Sequence, residues 1–408
     1  MSSGDKGLAY VLTCEAGSTM AADELLQSSL PHIWSPLVIF FEPHPQYYHL
    51  IDKCLTEIFY SQGPLKKPER HYIAIMVDER RILMLDEFIT YLSHRPWMVN
   101  ADVIRRLCRG DQGEPLWSLN QLVHAAVIVA TTNSLCTFCH GVGGVKPISV
   151  SSSEMASLAQ RCEWLVRDRQ FEQRPGQNRE IDYLITRMKM LRQAAKEHEN
   201  EDEIPEHSTA AFFSLANAPD ENAGVDSHSS GNVYTQREQP FAYVDFNLRA
   251  DPSKPFKIHE FSWDHGYHLI EDLYSTVAFI LDDKFNLMQN LTYNTMGEYE
   301  NVDTSEYRLA IWNYIQALFG IRHDDYGYAK VNQLLTRNMK AFVKTATCAP
   351  HTMSDAVRNV VMTEFDASEK IHVLLMIVEA RMQASLLYFT RALTNYYVFL
   401  NKTTLSRC

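Results

Sequence analysis

The stretch IHVLLMIVEARMQASLLYFTRALTNYYVFL, residues 371–400, is the most apolar helical segment of the chain and decides its fold. Only three charged residues, Glu379, Arg381 and Arg391, interrupt its apolar character. A transmembrane helix needs about 20 nearly uncharged residues in a row. The segment therefore predicts a helix buried in a protein core, and we expect no membrane insertion.

Helical spacing is also found outward from this segment. Apolar residues recur with that spacing over 119–135 and 307–319. Pro and Gly lie mainly between such segments, and strand patterns are scarce. The sequence therefore predicts an all-α fold.

Composition excludes several classes of protein. The 408 residues are 46% hydrophobic and 22% charged, which is typical of a globular chain with room for two domains. Its 38 Lys and Arg against 50 Asp and Glu give a net charge of -12, so we expect no nucleic-acid partner that needs an overall basic surface. Eight Cys are too few for a disulfide scaffold. We expect an intracellular protein, cytoplasmic and, as an alternative, also nuclear.

One segment differs in composition from the rest. Residues 196–239 contain ten acids against two bases, with many Ser, Asn and Gly, which predicts a solvated, partly disordered linker. Residues 154–193 before it predict one or two charged helices broken near Pro175-Gly176. These features divide the chain into a poorly ordered extension (1–35), an N-terminal helical domain (36–150), a connector with the acidic linker (151–240) and a C-terminal helical domain (241–400).

Cys136-Thr-Phe-Cys139-His140 is a candidate redox motif. A CxxC pair at a helix start exchanges disulfides, and CxxCH also attaches c-type haem. The alternative is two small side chains near the end of a buried helix, ahead of Gly141. Because no HExxH, P-loop or GxSxG pattern is present, we expect no metal and no cofactor.

Arg308 occupies an unusual helical position. Asp303-Thr-Ser-Glu306 is a capping-box pattern, and Arg308 lies on the apolar face of the helix that follows. A charge there needs a carboxylate partner, either from the protein or from a ligand. The alternative is that the guanidinium group of Arg308 extends to the solvent.

Glu369 is the matching anion. Asp366-Ala-Ser-Glu369 is again a capping-box pattern and opens the apolar segment, so Glu369 serves either as a helix cap or as a partner for an ammonium group. A cation and an anion facing one apolar pocket would suit a free amino acid with an apolar side chain. Spacing alone does not bring Arg308 and Glu369 together.

Asp324 and Asp325 are adjacent acids after Gly320. They predict either a cap for a helix over 329–343 or an exposed acidic surface for a basic partner.

Seven runs of this sequence resemble the sestrin family, over about residues 36–150 and 240–395. They are His71-Tyr-Ile-Ala-Ile-Met76, Ser93-His-Arg-Pro-Trp97, Leu291-Thr-Tyr-Asn-Thr295, Ala310-Ile-Trp-Asn-Tyr-Ile315, Asp324-Asp-Tyr326, Val331-Asn-Gln-Leu-Leu335 and Glu379-Ala-Arg-Met-Gln383. The resemblance implies two packed all-α halves similar to the bacterial alkylhydroperoxidase AhpD. It also implies an intracellular stress-response protein that senses leucine. Such proteins bind the GATOR complex and inhibit TOR signalling, and leucine relieves that inhibition.

By the same resemblance, individual residues acquire expected roles. Arg308 would hold the leucine carboxylate and Glu369 its ammonium group, with Asp324 and Asp325 on the GATOR-binding surface. The remaining expected roles are a lid (Thr292, Tyr293 and Thr295), a latch (Thr304) and the side-chain pocket (Tyr307 and Phe365).

The sequence departs from the family in two respects. Tyr307 and Met362 stand where the family usually has Leu and Trp, which changes the pocket floor. After Met76 the chain also lacks the helix carrying the family's proposed peroxidase Cys, so we expect no catalytic residue by that mechanism. The main hypothesis is a non-enzymatic amino-acid sensor. The alternatives are a thiol peroxidase using Cys136 and Cys139, and a scaffold without a ligand.

Overall fold

The computed structural model describes residues 37, 40, 41, 43–75, 80–109, 116–143, 164, 180–198 and 256–405. These ranges are mostly helical, which confirms the predicted all-α fold. The predicted extension 1–35, the break near Pro175-Gly176 and residues 199–239 of the predicted linker lie outside the described residues.

Twelve α-helices lie within the described ranges. They are α1 Pro45–Phe59, α2 Lys67–Ile75, α3 Arg80–His94, α4 Ala101–Arg109, α5 Leu119–Gly141, α6 Glu180–His198, α7 Trp263–Asn290, α8 Ser305–Leu318, α9 Ala329–Leu334, α10 Arg337–Cys348, α11 Asp355–Arg358 and α12 Ala367–Leu405. Two 3-10 turns, Pro96–Met98 and Pro350–Thr352, join neighbouring helices.

Four two-residue strands accompany these helices. Strand β1 (Phe256–Lys257) pairs in parallel with β4 (Ile321–Arg322), which fixes the start of the C-terminal half against the end of α8. Strands β2 (Thr295–Met296) and β3 (Tyr299–Glu300) form an antiparallel hairpin between α7 and α8.

Helix α12 contains the predicted apolar segment and packs against α5, α7 and α8. By length and composition, Leu119–Gly141 and Ala367–Phe399 would both be able to span a membrane. In the structure, 78% and 100% of their most apolar windows are buried within the protein. Their burial is that of core helices, and one continuous hydrophobic core runs from α1 to α12.

The three charges of this segment each contact another element. Glu379 Oε1 accepts a hydrogen bond from the Tyr47 hydroxyl (2.7 Å) and lies 3.1 Å from Lys284 Nζ. Arg381 donates to the backbone oxygens of Ser93 and Asn133, both at 3.1 Å. These contacts connect α12 with α1, α3, α5 and α7.

Arg391 lies over an aromatic ring. Its guanidinium carbon is 4.5 Å from the centroid of the Phe256 ring, on strand β1. Such a cation–π contact keeps the charge at the edge of the core without a carboxylate.

His124 is one of several buried polar residues of the N-terminal half. His124 Nε2 lies 2.8 Å from the Ile58 backbone oxygen, and the Leu65 amide lies 3.4 Å from Nδ1. A carbonyl only accepts, so Nε2 carries a hydrogen, while Nδ1 accepts from the Leu65 amide and carries none. The ring is therefore neutral. Burial is the main cause that lowers the pKa of His124 to about 4.

The helix predicted over 329–343 is wrong as a single element. The chain is extended at Leu335, with φ -102° and ψ 113°, and this divides it into α9 and α10. Thr336 then caps α10, since its hydroxyl accepts a hydrogen bond from the Met339 amide at 3.2 Å.

The buried ion pair yields a stability prediction. We expect Lys284→Ala to lower the free energy of unfolding by about 3–5 kcal/mol, because Glu379 is left as an unpaired charge in the core. Denaturant unfolding followed by circular dichroism measures this. The control is Arg106→Ala, which removes an ion pair to Glu87 whose side chains are 44% and 48% exposed. It should cost less than about 1 kcal/mol, and an equal effect of both variants would contradict the assignment.

His124 yields a pH prediction. The ordinary histidine pKa is 6.5 and burial lowers that of folded His124 to about 4, so the unfolded chain binds a proton first on acidification. Its contribution to stability is complete above pH 6.5 and is lost between pH 6.5 and 4, by up to about 1.4 kcal/mol per pH unit. Urea midpoints of the wild type and His124→Gln between pH 7.5 and 5 measure the slope. The wild type should lose more stability than the variant, and equal slopes would refute this.

Candidate functional site

A cleft lies where the β2–β3 hairpin, the start of α8 and the start of α12 meet. It contains about 410 Å³ of empty space, part of it open to solvent. Twelve residues line it: Thr292, Tyr293, Thr295, Met296, Thr304, Tyr307, Arg308, Phe365, Glu369, His372, Val373 and Met376. The structure thus places all eight residues of the predicted ligand site around a single cleft, and the predicted cation and anion both face it.

Arg308 is half-buried at the start of α8. Its Nε donates to the Thr304 hydroxyl at 3.2 Å, and its Nη1 donates to the Gln289 backbone oxygen at the end of α7. Burial lowers the pKa of Arg308, and the nearby Asp303 carboxylate opposes that effect. Because both hydrogen-bond acceptors are neutral, they orient the guanidinium without neutralising its charge.

The predicted capping box at Asp303 is wrong in detail. The N-cap of α8 is Thr304, and Asp303 accepts a hydrogen bond from the Ser305 amide at 2.9 Å. Glu306 instead forms an ion pair with Lys330 Nζ of α9 at 3.1 Å. The helix still begins where the sequence predicted, with Arg308 in its first turn.

Glu369 caps α12 and also connects it to the hairpin. Its carboxylate accepts from the Asp366 amide at 2.9 Å, as the capping interpretation predicted. The Gly297 amide also donates to both of its oxygens, at 2.9 and 3.0 Å. The Thr295 hydroxyl lies 3.5 Å away. Glu369 is therefore a fixed negative charge on the wall of the cleft.

The hairpin contributes Thr295 and Met296 to the lining of the cleft. The hydroxyl oxygens of Thr292 and Thr304 lie 3.5 Å apart, which joins the segment before the hairpin to the start of α8. The turn needs left-handed backbone, with φ +58° at Gly297, and glycine adopts this conformation without steric cost.

The apolar wall is formed mainly by two aromatic rings. The ring centroids of Tyr307 and Phe365 are 6.1 Å apart, and both side chains are buried. Burial raises the pKa of Tyr307, with a smaller contribution from Glu180, so its hydroxyl stays protonated. Met362, which was expected to change the pocket floor, is not among the residues that line this cleft. It is fully buried with φ +51°, an uncommon backbone conformation for a residue with a side chain.

His44 joins the N-terminal half to the cleft, which sequence reasoning missed. Its Nε2 lies 2.9 Å from the Ser368 backbone oxygen and its Nδ1 lies 2.8 Å from the Tyr293 hydroxyl. Nε2 must therefore donate to the carbonyl. Burial lowers the pKa of His44, and in the neutral ring Nδ1 accepts from the Tyr293 hydroxyl. No local pattern connects residue 44 with residue 293.

His372 is a further cleft residue that sequence reasoning missed. It is 9% exposed, and its Nε2 is buried with no hydrogen-bond partner among the described residues. Burial, followed by the charges of His44 and Arg308, lowers the pKa of His372 to about 3, so the ring is neutral. Helical spacing was an available signal, because His372, Val373 and Met376 follow Glu369 at i+3, i+4 and i+7.

Asp324 and Asp325 lie away from this cleft, in the turn after β4. Both are exposed, and Asp324 contacts His259. The prediction that they cap the next helix is wrong, because α9 follows Tyr328 and has no side-chain cap. Helix α8 has 14 residues, so about 21 Å of helix separates its two ends. The acid pair follows one end, and Arg308 lies near the other.

Cys136 and Cys139 lie near the end of α5, which finishes at Gly141, and not at a helix start. Burial is the largest cause that raises the pKa of the Cys139 thiol. Thiol chemistry needs a thiolate, so this environment opposes a redox role for Cys139.

Comparison with known proteins agrees with the sequence resemblance. A family model described as PA26 p53-induced protein (sestrin) matches residues 77–397. Similar curated proteins include Sestrin-3 of Mus musculus, 35% identical over 86% of this chain and 83% of its own length. Sestrin-1 of Xenopus laevis is 32% identical over 88% of this chain and 84% of its own. Sestrin-2 of Homo sapiens is 32% identical over 88% and 83%. The chain therefore belongs to the sestrin family.

Proposed function

We propose that this protein senses a free amino acid, leucine, and that it negatively regulates TOR signalling through the GATOR complex. As a sestrin, it is a stress-responsive regulator. The observation that carries the finer proposal is the pair of opposite charges, Arg308 and Glu369, on one cleft with apolar walls.

The chemistry of an α-amino acid suits this arrangement. Its carboxylate and ammonium group sit on the same carbon, so a site needs a cation and an anion close together. A guanidinium binds a carboxylate through two parallel hydrogen bonds. Glu369 accepts backbone hydrogen bonds and keeps its negative charge for an ammonium group, and the rings of Tyr307 and Phe365 offer an apolar surface to the side chain.

Partner binding is assigned to the exposed acids Asp324 and Asp325. Arg308 and Glu306 stand at the start of α8, and the acid pair follows its end through β4. A ligand that favours one arrangement of this helix would shift the population of the partner-binding state. We place this activity in the cytoplasm, with the nucleus as a second compartment, because eight Cys in 408 residues are typical of a reducing environment.

Calorimetry with leucine tests the ligand assignment. We expect saturable heat for the wild type, and dissociation constants at least about tenfold higher for Arg308→Ala and Glu369→Gln, because each removes a charge-assisted interaction. Leucinol, which lacks the carboxylate, should bind weakly to the wild type. Its affinity should not fall further in Arg308→Ala.

The charge-matched control is Arg105→Ala, since Arg105 is 42% exposed and pairs with Asp102. It should bind leucine like the wild type. The ligand assignment would be refuted by no heat and no melting shift at millimolar leucine, or by wild-type binding in Arg308→Ala. Saturable binding would exclude a scaffold without a ligand.

Substitution of the acid pair tests the partner assignment. Asp324→Ala/Asp325→Ala should abolish binding of the purified GATOR complex and leave the leucine affinity unchanged, because these residues are exposed and away from the cleft. Glu271→Ala/Asp272→Ala removes another adjacent acid pair, on α7, and should retain the partner. Equal partner binding by both double variants would refute the assignment.

A further inference from the structure

Helix α6 contacts the outside of the elements that form the cleft. One stripe of its residues, Ile181, Leu184 and Met188, is buried, while Tyr183 and Met190 are 49% and 55% exposed. The spacing of the buried residues gives α6 one apolar face, and this face packs on the C-terminal half.

Helix α6 packs tightly against the turn of the β2–β3 hairpin. A Cβ atom placed on Gly297 would lie 2.4 Å from Ile181 Cδ1, so the isoleucine side chain packs directly on the glycine backbone. The amide of the same glycine donates to Glu369. Next to this contact, the Tyr299 hydroxyl donates to Asp182. The first turn of α6 therefore supports the backbone that orients the negative charge of the cleft.

Helix α6 also holds the loop before α12. The Ile181 amide donates to Glu364 at 3.1 Å, and Glu180 accepts from the Thr363 amide at 3.3 Å. Glu364 directly precedes Phe365, which lines the cleft. These bonds fix the loop from which the apolar wall projects.

The far end of α6 contacts a third segment. Arg192 Nη1 lies 3.3 Å from the Asp303 carboxylate, and Asp303 directly precedes Thr304, the N-cap beside Arg308. In each of these three segments α6 thus contacts a residue that directly neighbours a cleft residue in sequence, namely Gly297, Glu364 and Asp303, while α6 itself supplies none of the lining.

A second part of the connector contacts the neighbour of Glu369. Lys370 is buried, and its Nζ donates to the Trp164 backbone oxygen at 2.8 Å and lies 5.5 Å from the centroid of the Trp164 ring. The Trp164 ring in turn packs against Phe342 of α10.

We propose that α6 is a positioning element of the cleft, which holds the hairpin, the Phe365 loop and the start of α8 in their ligand-binding arrangement. This inference rests on the proposed function for the identity of the ligand. Docking of α6 and ligand binding are then thermodynamically coupled. Release of α6 weakens binding, and a bound ligand stabilises the docked helix by the same factor.

A pair of variants on opposite faces of α6 tests this. Ile181→Ala removes the packing on Gly297 and should raise the dissociation constant for leucine by about fivefold or more. Tyr183→Ala, on the exposed face, is the control and should stay within about twofold of the wild type. Equal affinities of the two variants would overturn the proposal.

Hydrogen exchange provides readouts that do not depend on those affinities. In the wild type, leucine should slow exchange of the α6 amides, and unchanged exchange on saturation would overturn the coupling even if Ile181→Ala did not fold. If the wild type binds no leucine, the proposed function fails. The positioning role is then decided by the Gly297 amide, which should exchange faster in Ile181→Ala than in Tyr183→Ala, and equal rates would refute it.

Discussion

The arrangement of the whole molecule depends on one buried carboxylate, that of Glu379 about one third of the way along α12. Lys284 of α7 and Tyr47 of α1 converge on its Oε1, and Lys284 and Glu379 are each 1% exposed. A charge inside a core is tolerated only when it has an ion-pair or hydrogen-bond partner. The need to keep these partners within hydrogen-bonding distance therefore fixes the position of α12 relative to both helices. Burial is the largest cause that raises the pKa of Tyr47, which keeps its hydroxyl protonated as a donor.

Because α12 is held in this way, its first turn is placed against the hairpin and α8. Glu369, ten residues before Glu379, accepts a hydrogen bond from the Gly297 amide. His44 of the N-terminal half hydrogen-bonds to the Ser368 backbone oxygen. The cleft is therefore assembled from segments far apart in the chain. The Arg308 guanidinium and the Glu369 carboxylate are held by neutral backbone and hydroxyl groups. This arrangement leaves both charges available to a ligand that carries one anionic and one cationic group.

The sequence predicts the individual helices well and the contacts between them poorly. Helical periodicity identified the apolar core helix, and the charge of Arg308 on an apolar helix face predicted a carboxylate partner, from the protein or from a ligand. Its hydrogen-bond acceptors in the structure are the Thr304 hydroxyl and the Gln289 backbone oxygen. Contacts between distant residues leave no local signal. Neither the approach of His44 to Tyr293 nor that of Ile181 to Gly297 is readable from spacing, because each is set by how helices pack. The break at Leu335 was missed for a different reason, since periodicity continues across it and only Thr336 marked a new helix start.

We propose that this cleft holds an amino acid between Arg308 and Glu369. A crystal structure of the protein grown with leucine tests it most directly. We expect density in the cleft with the carboxylate at the Arg308 guanidinium, the ammonium group at Glu369, and the side chain against Tyr307 and Phe365. An empty cleft at saturating leucine, or leucine bound elsewhere or in the opposite orientation, would contradict it.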